Sequence, residues 1–217
     1  MRRFFLFLSF LPALASAQSL KQSGRSVQEL VPAGWTTVSA RGDLNKDGRD
    51  DLAVIATPDF PENMKTRDDG YVYNFNEPVL AIYFGRSDGS FGLWRQYEHA
   101  LAYQTDEHLW VDNGLSITDR GTLRISTSTF ASAGGWDTGA TSYTFRYQDG
   151  DFFLIGKDID TMSRATGEAD NESYNYLTHK CKLTKTNAFK QGAKPKVAWR
   201  DIPAEPLERL GSDRLEH

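Results

Sequence analysis

Between Gly42 and Ile55 the chain reads GDLNKDGRDDLAVI, and its oxygen-bearing side chains fall at the spacing of a calcium loop. Asp43, Asn45, Asp47 and Asp51 take relative positions 1, 3, 5 and 9, with Gly48 at position 6, where the backbone must turn sharply. Three carboxylates, one amide oxygen and the backbone carbonyl of Arg49 form the kind of oxygen set a hard cation prefers, so the expected ion is Ca2+. An EF-hand would place a bidentate Glu at position 12 and a helix on either side, whereas position 12 is Val54 inside the β-prone run Leu52, Ala53, Val54, Ile55. Every ligand comes from the protein, and no nucleophile or base stands beside the loop, so the ion's expected role is structural. Without an ion the same residues would make a solvated Asp/Gly turn between two strands.

Strand, acidic loop, strand, with DxNxDGxxD met at Asp43, Asn45, Asp47, Gly48 and Asp51, resembles the calcium loops of integrin-type FG-GAP and VCBS repeats. The likeness continues at Ala81 to Phe91, AIYFGRSDGSF, which is similar to the strand and turn that close such a repeat. The motif so read spans residues 42–91 in a single copy, with a longer insertion, Thr57 to Pro78, than a compact repeat carries. Because such repeats commonly sit in adhesion and recognition proteins, the resemblance implies a binding module. Arg41, Gly42 and Asp43 also spell RGD, the tripeptide some adhesion ligands present to integrins, but Asp43 cannot serve both calcium and a receptor.

Other chemistry is sparse. The chain has no GxSxG, no HExxH and no phosphate-cradling glycine loop. His99 and His108 flank a segment holding Asp106 and Glu107, at a spacing that follows no metal-site rule. Glu62, Asp68, Asp69 and Glu77 supply carboxylates from which a glycosidase pair could be drawn, though sequence separation says nothing about their spacing in space. Among the tryptophans, Trp94, Trp110 and Trp136 fall near polar loops, and Gly134, Gly135, Trp136 and Asp137 place an aromatic beside a carboxylate on a flexible turn, a pairing suited to stacking on a sugar ring. Trp110, Trp136 and Asp137 are therefore the candidate ligand-binding residues. The competing reading is that these tryptophans close the ends of a β core.

The elements that must hold these groups read as strands. Tyr143, Phe145 and Tyr147 alternate with polar residues, Asp149 and Gly150 supply a two-residue turn, and Phe152 to Ile155 return, so Tyr147 should pair with Phe152 and Phe145 with Leu154. Phe153 and Ile155 make the return strand apolar on both faces, as expected of a strand internal to a sheet or sandwiched. A second hairpin joins Leu115 and Ile117 to Leu123 and Ile125 through Thr118 to Gly121. Further strands are expected at Trp35 to Ser39, Leu52 to Ala56, Val79 to Phe84, Ser173 to Thr178 and Cys181 to Thr186, with Cys181 pointing inward between Lys180 and Lys182. No helical stripe competes. The fold class is all-β, a mainly antiparallel sheet arranged as a sandwich or a partial propeller, with one calcium-binding hairpin loop.

MRRFFLFLSFLPALASA reads as a secretory signal peptide, residues 1–17, cleaved after Ala17. Removing those 17 residues and their two arginines from 217 residues at net charge −4 leaves 200 residues at −6. That balance gives no electrostatic case for nucleic acid or an anionic membrane, and no segment is apolar enough to span a bilayer. Cys181 is the only cysteine, so a secreted domain without disulfides points to a bacterial envelope or periplasmic setting. Residues 18–29 read as an N-terminal segment, 30–189 as the β domain, and 190–217 as a charged, proline-containing tail whose Val197, Trp199, Ile202 and Leu207 are apolar enough to dock on it. The reading is a secreted or periplasmic, calcium-stabilised, non-catalytic protein that recognises an envelope protein or a glycan. Its rival is a secreted hydrolase acting on glycans through loop carboxylates.

Overall fold

The computed structural model describes residues 19–131, 136–190, 192, 194–212 and 215, so the expected signal peptide lies outside the described residues. Fourteen strands, one short α-helix and a single 3-10 turn (Pro61–Asn63) are described, the strands and helix in chain order being β1 (Ser23–Gly24), α1 (Val27–Leu30), β2 (Thr36–Gly42), β3 (Asp51–Thr57), β4 (Met64–Thr66), β5 (Val72–Asn74), β6 (Val79–Gly85), β7 (Phe91–Tyr97), β8 (Leu109–Ile117), β9 (Thr122–Ala131), β10 (Asp137–Gln148), β11 (Asp151–Ser163), β12 (Glu168–Asn175), β13 (Lys180–Asn187) and β14 (Lys196–Asp201). They make a five-stranded sheet ordered β1-β7-β6-β3-β2, a seven-stranded sheet ordered β14-β13-β12-β11-β10-β9-β8, and the small pair β4-β5. All pairings are antiparallel.

Alternation along β3 and β6 explains why the two large sheets pack. Ala53, Ile55, Leu80 and Ile82 share one core with Leu123, Ile125, Tyr143, Phe145, Phe152 and Leu154 of the seven-stranded sheet. The intervening Leu52, Val54, Ala56, Ala81 and Tyr83 face the other way, into a second cluster completed by Leu20, Leu30 and Val31. Successive residues of a strand point to opposite faces, so a run apolar at every position must be covered on both. Here the cover is a second sheet on one side and the N-terminal segment on the other. That segment is part of the β domain: β1 pairs with β7, Lys21 N–H donates to Leu30 C=O at 2.9 Å, and Ser26 caps α1.

Both expected hairpins form in the expected register. Tyr147 pairs with Phe152, and Phe145 with Leu154 after a bulge at Thr144/Phe145 that leaves Ile155 as the extra residue. Asp149 and Gly150 both take positive φ, 51° and 79°, as a type I′ turn requires. Leu115 pairs with Ile125 and Ile117 with Leu123. Strands also form where expected in β2, β3, β6 and β13, and Cys181 is fully buried; β12 runs Glu168–Asn175, five residues earlier than the expected Ser173 start, and Tyr176 to Thr178 belong to the turn into β13.

The C-terminal region departs from the expected tail. Residues 196–201 pair with β13 as an edge strand, and the segment beyond returns to the core. Leu154 N–H donates to Glu208 C=O at 2.8 Å, Leu210 N–H to Phe152 C=O at 2.9 Å and Leu215 N–H to Ala100 C=O at 2.9 Å, which carries the buried Leu210 and Leu215 between the sheets.

The turn between β10 and β11 gives a direct test. A Cβ at Gly150 would meet nothing within 4 Å, so any penalty there is backbone strain alone. Gly150→Val should lower stability by about 1–3 kcal/mol, whereas Asp149→Asn, a residue tolerant of left-handed backbone, should be near neutral. Urea midpoints separate the two, and equal midpoints would contradict the turn.

Candidate functional site

The acidic loop joins β2 to β3, and its own side chains close it. Asp43 Oδ1 accepts from Asp47 N–H at 3.1 Å and Oδ2 from Gly48 N–H at 2.9 Å, while Asn45 Oδ1 accepts from Asp47 N–H at 3.0 Å. Asp47 Oδ1 accepts from Arg49 N–H at 2.9 Å and its Oδ2 pairs with the Arg49 guanidinium at 2.7 Å. Gly48 sits at φ 82° with open space around it, so conformation and not crowding demands glycine there. A carboxylate has about four lone-pair sites and an amide oxygen two, so the oxygens of the half-buried Asp43 and Asn45 and of the exposed Asp47 keep acceptor capacity for a cation after these bonds form.

Asp51 is placed differently from the other three. It is fully buried, its Oδ2 accepts from Leu44 N–H at 2.9 Å and Asn45 N–H at 3.2 Å, and its Oδ1 accepts from Gly85 N–H at 2.9 Å at the end of β6. Burial raises its pKa above the ordinary carboxylate value, the three N–H donors oppose that rise, and the charge of Asp47 adds to it. A raised value means the folded chain holds the proton more tightly than the unfolded chain. This group's ionisation thus subtracts stability as pH rises from about 3.8 through the raised value, unless a cation offsets the charge. The donor kinds fit calcium. Among the described residues, however, no three His, Cys, Asp or Glu side chains gather round one point, because Asp51 is turned onto backbone amides and the exposed part of the loop offers two carboxylates and one amide.

What the loop touches was not legible from its ligand spacing. Leu44, at position 2 between Asp43 and Asn45, is buried in the core shared by both sheets. A Cβ on Gly121, at φ 70° in the β8–β9 turn, would lie 2.4 Å from the Asp43 carbonyl oxygen, and a Cβ on Gly85 would lie 2.3 Å from the Asp50 carbonyl oxygen. Glycine at both positions lets the acidic loop lie directly against the turn of one sheet and the strand end of the other. The only sequence signals were Leu44 within a polar loop and the Phe84-Gly85 pair after a buried strand.

The other candidates scatter. Trp94 is a bulge residue of β7 packed edge-on against Tyr147 and Phe152, so it belongs to the core. Trp110 on β8 is 38% exposed and packs against Tyr71 and Tyr73 of the β4-β5 region, while Trp136 is 70% exposed. They fall at the same end of the sheet: Phe130 pairs with Trp110, and Arg164 lies over Phe130 and donates from its backbone N–H to Trp136 C=O at 2.8 Å. Asp137 is exposed at the start of β10; Gly134 and Gly135 lie outside the described residues. His99 Nδ1 meets Glu77 at 2.6 Å, Asp106 accepts from His108 N–H at 2.6 Å, Glu107 pairs with Lys65 and Asp69 with Arg67. These acids thus engage separate partners. No helix among the described residues is long and apolar enough to cross a membrane.

A model of the FG-GAP repeat matches residues 34–75, so this stretch, from before β2 through the acidic loop to the end of β5, is similar to an FG-GAP repeat. Comparison with curated proteins returns no match, and neither does comparison with solved structures.

Two substitutions separate strut from ion ligand. Asp51→Ala leaves three amides without their acceptor and should cost on the order of 3 kcal/mol even in EDTA, with no ion bound. Gly121→Ala, strained at positive φ and driven into the Asp43 carbonyl, should cost about 2 kcal/mol. Urea titrations that place either variant within 0.5 kcal/mol of wild type, roughly the scatter of a neutral surface change, would refute the packing described.

Proposed function

We propose that the chain is an exported, non-catalytic recognition module in which a calcium-closed FG-GAP loop braces two sheets, and the larger sheet presents exposed aromatics to an envelope protein or a glycan. The observation that carries this reading is the loop's position: Leu44 enters the shared core, Asp43 lies against Gly121 of one sheet, and Asp51 holds Gly85 of the other. A loop so placed is suited to bracing. Asp43, Asn45 and Asp47 would hold the ion with their side chains and Arg49 with its backbone carbonyl, while Asp51 anchors the loop from beneath and adds its charge. When bound, the ion supplies neutralisation of clustered carboxylates. Trp110, Trp136 and Asp137 at one end of the seven-stranded sheet are the recognition residues in this reading. Export through the N-terminal signal, with cleavage after Ala17, places the protein in the periplasm or outside the cell, where calcium modules work at dissociation constants of about 0.1–1 mM.

Thermal melts test the ion. At 100 times the dissociation constant, calcium should add about 2.7 kcal/mol, or roughly 5–10 °C for a domain of this size, and Asp47→Ala should abolish the shift. Equal melting temperatures in calcium and EDTA would remove calcium from the account. Trp136→Ala tests recognition: its melting temperature should match wild type while retention on an envelope fraction falls, and unchanged retention would clear that residue of the role.

A further inference from the structure

Resting on the recognition reading above, we propose that the solvent face of the seven-stranded sheet binds a neutral, extended polysaccharide along a groove that crosses the strands. The ladders bring Ser128, Ala140, Asp160, Asn171 and Thr184 into one transverse row, each the register partner of the next. Their chain neighbours Thr127 and Thr141 are buried towards the core, so alternation turns this row outward. There it lines a groove of about 420 Å³ with Thr138, Met162, Ala169 and Thr186, a volume within the range of small-ligand sites. Strands lie about 4.8 Å apart, so the row from β9 to the edge strand β14 runs roughly 24 Å, enough for several linked sugar rings.

The lining chemistry selects the occupant. Asn171 Nδ2 donates to Asp160 Oδ1 at 2.8 Å, which fixes both side chains and leaves the second Asp160 oxygen and the Asn171 amide oxygen as acceptors for hydroxyls. Asp170, whose carboxylate Lys185 pairs at 2.9 Å, and Met162 also line the groove; the rest is serine and threonine hydroxyls and small side chains, and no lysine or arginine is among the lining residues. An anionic polymer would therefore meet the Asp160 carboxylate, which is bonded to an amide and not to a cation, while a hydroxyl-rich neutral chain meets complementary donors and acceptors. Aromatic side chains stand on this face at both ends. At the β14 end, Trp199 is 66% exposed and pairs with Lys182, one residue from the buried Cys181, so it faces outward. At the other end Trp110 and Phe130 pair across β8 and β9 on the same face. Flat apolar rings flanking a polar groove offer stacking surfaces for the C–H faces of sugar rings.

Calorimetric titration of the full chain in calcium with cellohexaose and chitohexaose tests the groove. At least one hexasaccharide should bind, with affinity falling at least tenfold in Asp160→Ala and in Thr184→Tyr, which fills the groove, and at least fivefold in Trp199→Ala, at unchanged melting temperature. Binding that survives all three substitutions but is lost in Trp136→Ala would overturn the groove and keep recognition at the Trp110–Trp136 end. Absence of binding to either sugar at millimolar concentration, with retention of wild type on an envelope fraction intact, would overturn the groove while leaving recognition of a protein partner standing.

Discussion

A meander whose central strands, β3 and β6, are apolar on both faces cannot stand alone in water, and the arrangement of this protein follows from that constraint. β2, β3, β6 and β7 form four antiparallel strands in sequence order, the strand count of a propeller blade. In an array, neighbouring repeats would bury both faces of such a unit. Here the FG-GAP model matches residues 34–75, and other parts of the chain supply the cover: the seven-stranded sheet on the Ala53/Ile55 face and Leu20, Leu30 and Val31 on the Leu52/Val54 face. The result is two packed sheets in place of a radial array.

Covering a blade with a large sheet creates a joint between unlike elements, and the acidic loop lies in it. Its backbone approaches Gly121 and Gly85 so closely that neither position has room for a side chain, and Leu44 anchors it in the core between the sheets. The buried Asp51 carboxylate ties the same loop to β6. A desolvated negative charge with a second carboxylate nearby is an unfavourable way to build a joint unless a cation offsets it, which is the physical reason for coupling the brace to calcium in the proposed function.

Local signals made much of this legible. Alternation and the Asp149-Gly150 turn located the β10–β11 hairpin in its register, and the turn at Thr118 to Gly121 did the same for β8–β9. The ligand spacing located the loop but not its neighbours, because the contacts of Leu44 and Asp51 are made with residues distant in sequence. β14 was hidden for a different reason: all six of its residues are exposed, so an edge strand with no buried face writes no period-two pattern. Leu210 and Leu215 sit among charged and polar residues in the chain, and only the folded sheets make them core. The transverse row through Asp160 and Asn171 is invisible in sequence since its members come from five strands.

Amide hydrogen exchange with and without calcium measures the brace directly, because it reads the loop and both sheets in one experiment. The account predicts that calcium slows exchange at the loop amides of Leu44, Asp47 and Gly48, and also at Gly85 on the small sheet and at Gly121 and Thr122 on the large one. Slowing confined to residues 43–51, or none at all, would contradict a calcium brace between the sheets.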